Sequence, residues 1–253
     1  MKNFKIAEIV PLKFLELTRK NQYHMCLAHL VLQSDKYRDF YRRMSDEGKY
    51  VLVDNGAAEG EIMSYKDLVK VYELINPSEI ILPDVLFNEE ETIRRTREFL
   101  DNYDLTKYKK MIVPQGSDRD SWLHCYHMMS CIQGINTVGI PKWLGRKNLS
   151  TRIGICQDLK NIPYEIHLLG CNENPAIIRR CRTVNDKVRG CDSAFAYLCS
   201  KNGYREITPY TARPRNTSIE FLTDTEGYDL DNLMWDFELE TGAGNNGVDE
   251  TWR

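Results

Sequence analysis

No apolar run in the sequence approaches the roughly 20 residues that a membrane-spanning helix needs. The start of the chain, Met1 to Lys5, leads into a stretch of mixed polar and apolar residues. It lacks the charged and then apolar pattern of a signal peptide. These two absences predict a cytoplasmic protein that has no membrane partner.

Cysteine is frequent, but the spacings that mark metal sites are missing. None of the eight cysteines forms a Cys-x-x-Cys pair, and intervals such as Cys171 to Cys181 are too wide and irregular for a zinc site. His124 and His127 lie close together in a segment of helical spacing, but no third ligand accompanies them. We therefore predict no metal, no cofactor, and reduced thiols that pack as small apolar side chains.

A linker rich in proline, glycine and serine is also missing from the middle of the chain. The 253 residues are 42% hydrophobic, which suffices for one large core, and α/β barrels reach about this length as a single domain. We expect one domain over residues 1–240, with two small domains as the alternative. Residues 241–253, which begin with a run rich in glycine and asparagine, are predicted to form a disordered acidic tail.

Seven segments rich in Ile, Val and Leu predict buried strands, with segments of helical spacing between them. The predicted strands are Met25–Gln33, Tyr50–Asp54, Glu79–Pro83, Lys110–Pro114, Asn136–Ile140, Tyr164–Leu169 and Lys187–Asp192. An eighth strand is less defined, and Ile219–Leu222 is its candidate. Ser64 and Asn88 are predicted helix N-caps. This alternation indicates a parallel sheet, and the number of strands favours a TIM-like (β/α)8 barrel over an open sheet.

Four predicted strands end in a polar side chain next to a turn residue. These side chains are Asp54, Asp84, Gln115 and Asp192. Because the carboxyl ends of barrel strands meet in one mouth, we expect three carboxylates and one amide to share a site. Structural alternatives stay open: Asp54 can form a turn, Asp84 and Asp192 can cap helices, and Gln115 can lie in a loop without a role.

In their order along the chain, these strand ends resemble the motifs of the tRNA-guanine transglycosylase superfamily. Its members are α/β barrels that exchange guanine for a 7-deazaguanine without cutting the sugar–phosphate chain. The matching segments are 54–59 (DNGAAE), 83–84 (PD), 113–116 (VPQG), 138–141 (VGIP), 167–170 (HLLG) and 191–193 (CDS). The short chain is most similar to phage-type members linked to 7-deazaguanine modification of DNA, which would place it in a host cytoplasm.

The resemblance implies a role for each strand-end residue. Asp192 would be the nucleophile at the sugar anomeric carbon, and Asp54 the general acid/base for the departing base. Asp84 and Gln115 would read the guanine-like edge. Breaking a glycosidic bond needs two carboxylates of this kind, one at the anomeric carbon and one for the leaving group. Further residues predicted to contact the substrate are Asn55, Glu59, His29, Gly139, which would let the backbone approach the base, and Gly170, which would leave room for it. The alternative for His29 is a core histidine bonded to the backbone, and Glu59 can instead serve to orient a neighbour.

Two departures from the family's pattern bear on the substrate. Ala58 stands where the family has an aromatic residue that stacks on the base. The family's cysteine-rich zinc subdomain is missing, so DNA is favoured over tRNA as the partner, with a 7-deazaguanine base as co-substrate. A homodimer is compatible with the sequence. The alternatives are an N-glycoside hydrolase and a non-catalytic nucleic-acid-binding barrel that pairs with a catalytic subunit.

Charge is unevenly distributed and supports a nucleic-acid partner. Residues 220–253 hold ten acidic side chains and one basic, although the whole chain carries only −3, so the rest is net basic. A base in a duplex must leave its stack to reach a buried site, and an aromatic ring among cations suits such a base. The predicted nucleic-acid contacts are Lys142, Trp143, Arg146, Lys147 and Arg189. An ordinary solvated surface, with Trp143 packed under a loop, is the alternative.

Overall fold

Eight strands of the chain lie in one sheet, and all the paired neighbours within it run parallel. The computed structural model describes residues 4–145, 149–172, 175–204 and 206–207, and also 211, 214, 219, 221–223 and 234–235. The strands of the sheet are β1 (Lys5–Glu8), β2 (Tyr23–Leu27), β3 (Tyr50–Asp54), β4 (Glu79–Ile81), β5 (Lys109–Ile112), β6 (Thr137–Ile140), β7 (Glu165–Leu168) and β8 (Val188–Ser193).

The order of the strands closes the sheet on itself. Hydrogen-bonded neighbours follow the order β1-β8-β7-β6-β5-β4-β3-β2, and the two end strands, β1 and β2, lie side by side. The predicted TIM-like (β/α)8 barrel is therefore confirmed. Two further short strands, β9 (Glu206–Ile207) and β10 (Met234–Trp235), pair with each other in parallel.

Helices follow the strands from β2 onward and cover the outside of the barrel. They are α1 (Ala28–Gln33), α2 (Asp35–Asp46), α3 (Tyr65–Ile75), α4 (Glu89–Asn102), α5 (Arg119–Ser130), α6 (Leu149–Asp158), α7 (Pro175–Val184) and α8 (Phe195–Lys201). Short 3₁₀ helices span Leu12–Thr18, Ala57–Glu59, Lys142–Gly145 and Leu159–Asn161. No helix in the described ranges is long and apolar enough to cross a membrane.

The helix starts follow the capping chemistry of the sequence. The Ser64 side chain accepts a hydrogen bond from the Asp67 backbone N–H at 3.1 Å, and Asn88 accepts from the Glu91 N–H at 3.0 Å. Both predicted N-caps are confirmed. Each cap satisfies an N–H group that has no partner within the helix.

Two predicted strands are wrong. Met25–Gln33 is in fact β2 followed directly by α1. The residues across the junction are nearly all buried, and a short continuous apolar run does not distinguish a strand from a helix. Ile219–Leu222 is not the eighth strand, because Lys5–Glu8 takes that place between β2 and β8. The backbone carbonyl of Phe221 instead accepts a hydrogen bond from the Leu12 N–H at 2.7 Å.

The amino-terminal end of the barrel interior holds a buried ion pair. Arg189 is 6% exposed and Glu79 is fully buried, and their side chains contact each other directly. Tyr50 and Thr137 donate hydroxyl hydrogen bonds to Glu79 at 3.0 and 2.6 Å, and Arg189 also pairs with Glu165 at 3.0 Å. The prediction that Arg189 contacts nucleic acid is wrong, because its guanidinium is enclosed by carboxylates in the barrel.

The cysteines do not form disulfides, and seven of the eight are buried, with Cys131 exposed. Over the described part of the chain, no cluster of three or more His, Cys, Asp or Glu side chains is placed to hold a metal ion. The predicted tail, residues 241–253, lies outside the described residues, as do Arg146 and Lys147.

Candidate active site

An open cavity of about 350 Å³ lies at the carboxyl ends of the strands. The strand register explains why the predicted acids meet there. Asp54 ends β3 and pairs with Leu27 at the end of β2, while Asp192 lies near the end of β8 beside Ala7. The predicted residues in its walls are Asp54, Asn55, Glu59, Asp84, Gln115, Lys142, Trp143, Gly170 and Asp192.

The carboxylate of Asp192 is held in one orientation by three hydrogen bonds. The Gly170 N–H lies 3.0 Å from both carboxylate oxygens, and His167 Nε2 lies 3.2 Å from Oδ1. Gly170 has a φ of +64°, a left-handed conformation that favours glycine. The alternative of a helix cap does not hold, since α8 begins at Phe195 and the Phe195 N–H bonds the Ser193 hydroxyl instead.

His167 connects Asp192 to a buried tyrosine. The ring is fully buried, and its Nδ1 lies 3.0 Å from the Tyr23 hydroxyl. Burial raises the pKa of Tyr23 well above its ordinary value and lowers the pKa of His167. A phenol that keeps its proton donates to Nδ1, so a neutral imidazole carries its proton on Nε2 and donates to Asp192. The sequence left the orientation of His167 open and gave no sign of Tyr23.

Asp54 is the second carboxyl of the cavity and has a different environment. One of its oxygens accepts a hydrogen bond from the Gly56 N–H at 3.1 Å, so the residue also forms the predicted turn. Burial, followed by the negative charge of Glu59, raises the pKa of Asp54 well above its usual range. Burial and the charge of Asp192 raise the pKa of Glu59 to about 6. A carboxyl with a raised pKa can hold a proton for transfer near neutral pH.

Asp84 and Gln115 form a second polar group beside these acids. The Asn55 and Gln115 side-chain amides donate to the two oxygens of Asp84, each at 2.6 Å. Asn55 also donates to the Leu82 carbonyl at 2.8 Å, which fixes its amide. Burial raises the pKa of Asp84 to about 6, although the two amide donors oppose that rise. Neither residue fits its structural alternative, because Asn88 caps the following helix and Gln115 is buried in this network.

Two aromatic rings lie next to Gln115. The Trp143 Nε1–H donates to Gln115 Oε1 at 2.9 Å, and the Phe87 ring lies 5.4 Å from the Trp143 ring, centroid to centroid. Both rings line the cavity, whereas Ala58 brings only a methyl group to it. Phe87 was not among the residues predicted to contact substrate. The sequence held one indication of its role. Phe87 is a large apolar residue directly before the Asn88 cap, a position that the helix itself does not bury.

Two residues predicted to contact substrate lie outside the cavity wall. His29 is on α1 and not on a strand, and its Nδ1 lies behind the Asp54 loop, 3.1 Å from where a Cβ on Gly56 would be. Gly139 serves packing. A Cβ at that position would lie 2.9 Å from Val113 and 3.0 Å from Leu169, so glycine is needed for the fit of side chains and not for the approach of a base.

Comparisons with known proteins add the fold and no more. No family model and no curated protein matches the chain. N-succinyl Arg/Lys racemase from Bacillus cereus ATCC 14579 matches with a TM-score of 0.52 and 8% identity, over 77% of this chain and 52% of that one. The glycerol uptake operon antiterminator regulatory protein from Listeria monocytogenes str. 4b F2365 matches with a TM-score of 0.50 and 11% identity, over 77% and 94%. At such identities the likeness shows a shared barrel and leaves the activity open.

Proposed function

We propose that the chain is a base-exchange pentosyltransferase, which replaces guanine in nucleic acid with a 7-deazaguanine derivative. One observation carries the proposal. A carboxylate held by the Gly170 N–H and His167 shares a cavity with a second carboxyl of raised pKa and with the Asp84–Gln115 pair. This is the arrangement that glycosidic bond exchange requires, namely a nucleophile, a proton carrier and a group that recognises the base.

Asp192 is the nucleophile of the proposed reaction. Its carboxylate attacks the sugar anomeric carbon while the bond from that carbon to guanine breaks, and the departing base takes the bonding electron pair. Protonated Asp54 gives its proton to a ring nitrogen of the base as it leaves. The incoming base then loses a proton to the Asp54 carboxylate and attacks the anomeric carbon, which releases Asp192. The two half-reactions use the same groups in opposite order, so no other reactant is needed.

Asp84 and Gln115 recognise the base in this proposal. A guanine edge presents two neighbouring N–H donors and one carbonyl oxygen. The Asp84 carboxylate accepts from the two donors, and the second amide hydrogen of Gln115 is available for the carbonyl. Trp143 and Asp84 already occupy the other groups of the Gln115 amide, which fixes its orientation. Adenine presents a single donor beside the lone pair of a ring nitrogen, so the Asp84 carboxylate would face that lone pair and adenine would be rejected.

DNA is the preferred polymer partner in the proposal, because the zinc subdomain of the tRNA-modifying members is missing from the sequence. Lys142 and Trp143 lie in the wall of the mouth, where the sugar–phosphate chain of an extruded nucleotide would pass. Competition between tRNA and DNA tests this part. Modification of tRNA with DNA left untouched would remove the DNA preference and leave the exchange reaction standing.

Incorporation of a labelled base tests the reaction itself. The protein is incubated with guanine-containing DNA and labelled guanine or 7-deazaguanine, and the label in the polymer is measured. Incorporation supports exchange. Release of guanine without incorporation indicates an N-glycoside hydrolase, and neither signal, with a candidate catalytic partner present, indicates a non-catalytic binding barrel.

A further inference from the structure

Phe87 has an unusual backbone and an unusual exposure. Its φ is +62°, a left-handed conformation that bulky residues rarely adopt, and 52% of the residue is exposed. Exposed apolar residues are common on their own and need no explanation. Phe87 differs because its ring faces the cavity, and because disfavoured backbone conformations are concentrated at functional sites.

The surroundings of Phe87 attach it to the recognition group. Its backbone N–H donates to Gln115 Oε1 at 3.4 Å, and Trp143 donates to the same oxygen. The two rings are inclined by 57° and pack against each other. Because Gln115 is bonded directly to Asp84, the Trp143 ring and the Phe87 backbone are both tied to the carboxylate that would read a base.

We propose that Phe87, supported by Trp143, is the surface on which the base stacks while Asp84 and Gln115 bind its edge. Phe87, Gln115 and Asp84 line the same cavity, and the Phe87 backbone bonds the Gln115 amide, so a base bound at that amide lies within reach of the Phe87 ring. The assignment supplies the ring that Ala58 cannot supply. The ligand of this stacking surface is a planar heterocycle with a guanine-like edge. The identity of that ligand rests on the proposed function.

Calorimetric titration of free 7-deazaguanine into the protein tests the stacking surface without any catalytic step. The Phe87→Ala variant is expected to bind the base about 5- to 100-fold more weakly, in line with the loss of one aromatic–base stack. Phe87→Tyr keeps a ring and should stay within about 3-fold of the wild type. Leu32→Ala, which shortens another exposed apolar residue that does not line the cavity, is the matched control and should not change the affinity.

The outcomes separate this inference from the proposed function. Unchanged base affinity in Phe87→Ala overturns the stacking surface, and so does a variant whose KM rises for DNA alone, because Phe87 would then contact a neighbouring nucleotide. If the wild type binds the base through Phe87 but exchanges nothing, the proposed reaction fails and the stacking surface stands. If the wild type exchanges bases and Phe87→Ala binds them normally, the proposed reaction stands and the stacking surface fails. A wild type that binds no base overturns the surface as well.

Discussion

The two ends of the barrel interior use buried carboxylates in opposite ways. At the amino end, Glu79 is bonded to an arginine and to two hydroxyl groups, so its charge is compensated within the fold. At the carboxyl end, Asp84 accepts hydrogen bonds from two side-chain amides. Asp192 is bonded to a backbone N–H and an imidazole. The first arrangement is closed to ligands. The second orients carboxylates but leaves their chemistry available in an open cavity, so burial of an acid does not by itself mark a site.

Replacing the Asp192 carboxylate should have the largest effect on activity. We expect Asp192→Asn to reduce base exchange by about 10⁴-fold or more, because an amide is a poor nucleophile and nucleophile removals have effects of this size. The midpoint of thermal unfolding should change little, since the amide can keep the Gly170 hydrogen bond. Incorporation of labelled guanine into DNA measures the change. A variant with full exchange activity would remove Asp192 from the nucleophile role.

Breaking the amino-end pair should instead affect stability. We expect Arg189→Met to lower the free energy of unfolding by about 3–5 kcal/mol, because Glu79 would be left buried without its cation. Activity per folded molecule should stay close to that of the wild type. Denaturant unfolding provides the measurement, and the double variant Arg189→Met with Glu79→Gln should recover part of the loss. Loss of activity in a fully folded Arg189→Met protein would contradict the separation of the two ends.

The hydrogen bond from Tyr23 to His167 supports Asp192 from inside the barrel and should matter for rate. Tyr23→Phe removes the donor that fixes the tautomer of His167. We therefore expect kcat to fall about 10- to 100-fold with little change in KM, which is the size of effect seen when a metal-binding histidine loses its hydrogen-bond partner. Nitrogen-15 NMR of the His167 ring should report Nε2–H in the wild type and a mixture of tautomers in the variant. A purely structural role would alter stability without moving this signal.

The carboxyl end should also have a characteristic pH dependence. The pKa of Asp84 in the folded state, about 6, lies above its unfolded value near 4, so the folded protein binds more protons between these values. Stability should therefore rise as the pH falls through this window, with roughly 1–3 kcal/mol coming from Asp84. Binding of 7-deazaguanine should weaken over the same window as the carboxylate is lost. Asp84→Asn should flatten the binding profile and reduce the rise in stability without removing it, because Glu59 and Asp54 also bind extra protons in the folded state. Unchanged profiles in that variant would contradict the assignment.

A glycine at position 87 should cause the smallest change in stability, and this variant distinguishes an effect on base binding from an effect on folding. Phe87→Gly relieves a left-handed backbone conformation, worth about 1 kcal/mol, but loses a ring contact with Trp143 of similar size, so thermal stability should change little. Base affinity should fall as in Phe87→Ala. A variant that is less stable and still binds the base normally would identify Phe87 as a packing residue.

Local sequence patterns predicted the barrel and the acids that line its mouth. Asp54, Asp84, Gln115 and Asp192 could be found because each follows a recognisable buried strand, and parallel strands place their ends together. The contact between Tyr23 and His167 could not be found, because 144 positions separate them and no spacing rule reports such a contact. Arg189 was misassigned for a related reason, since counting charges does not show which of them a fold buries.

Detection of a covalent intermediate tests the central claim most directly. The protein is mixed briefly with a short guanine-containing DNA oligonucleotide, without an incoming base, and its intact mass is measured after denaturation. We predict a species whose mass equals protein plus oligonucleotide minus one guanine, with the link mapped to the peptide that contains Asp192 and removed by added 7-deazaguanine. Base exchange without this species at early times, or with the link on another residue, would contradict the account.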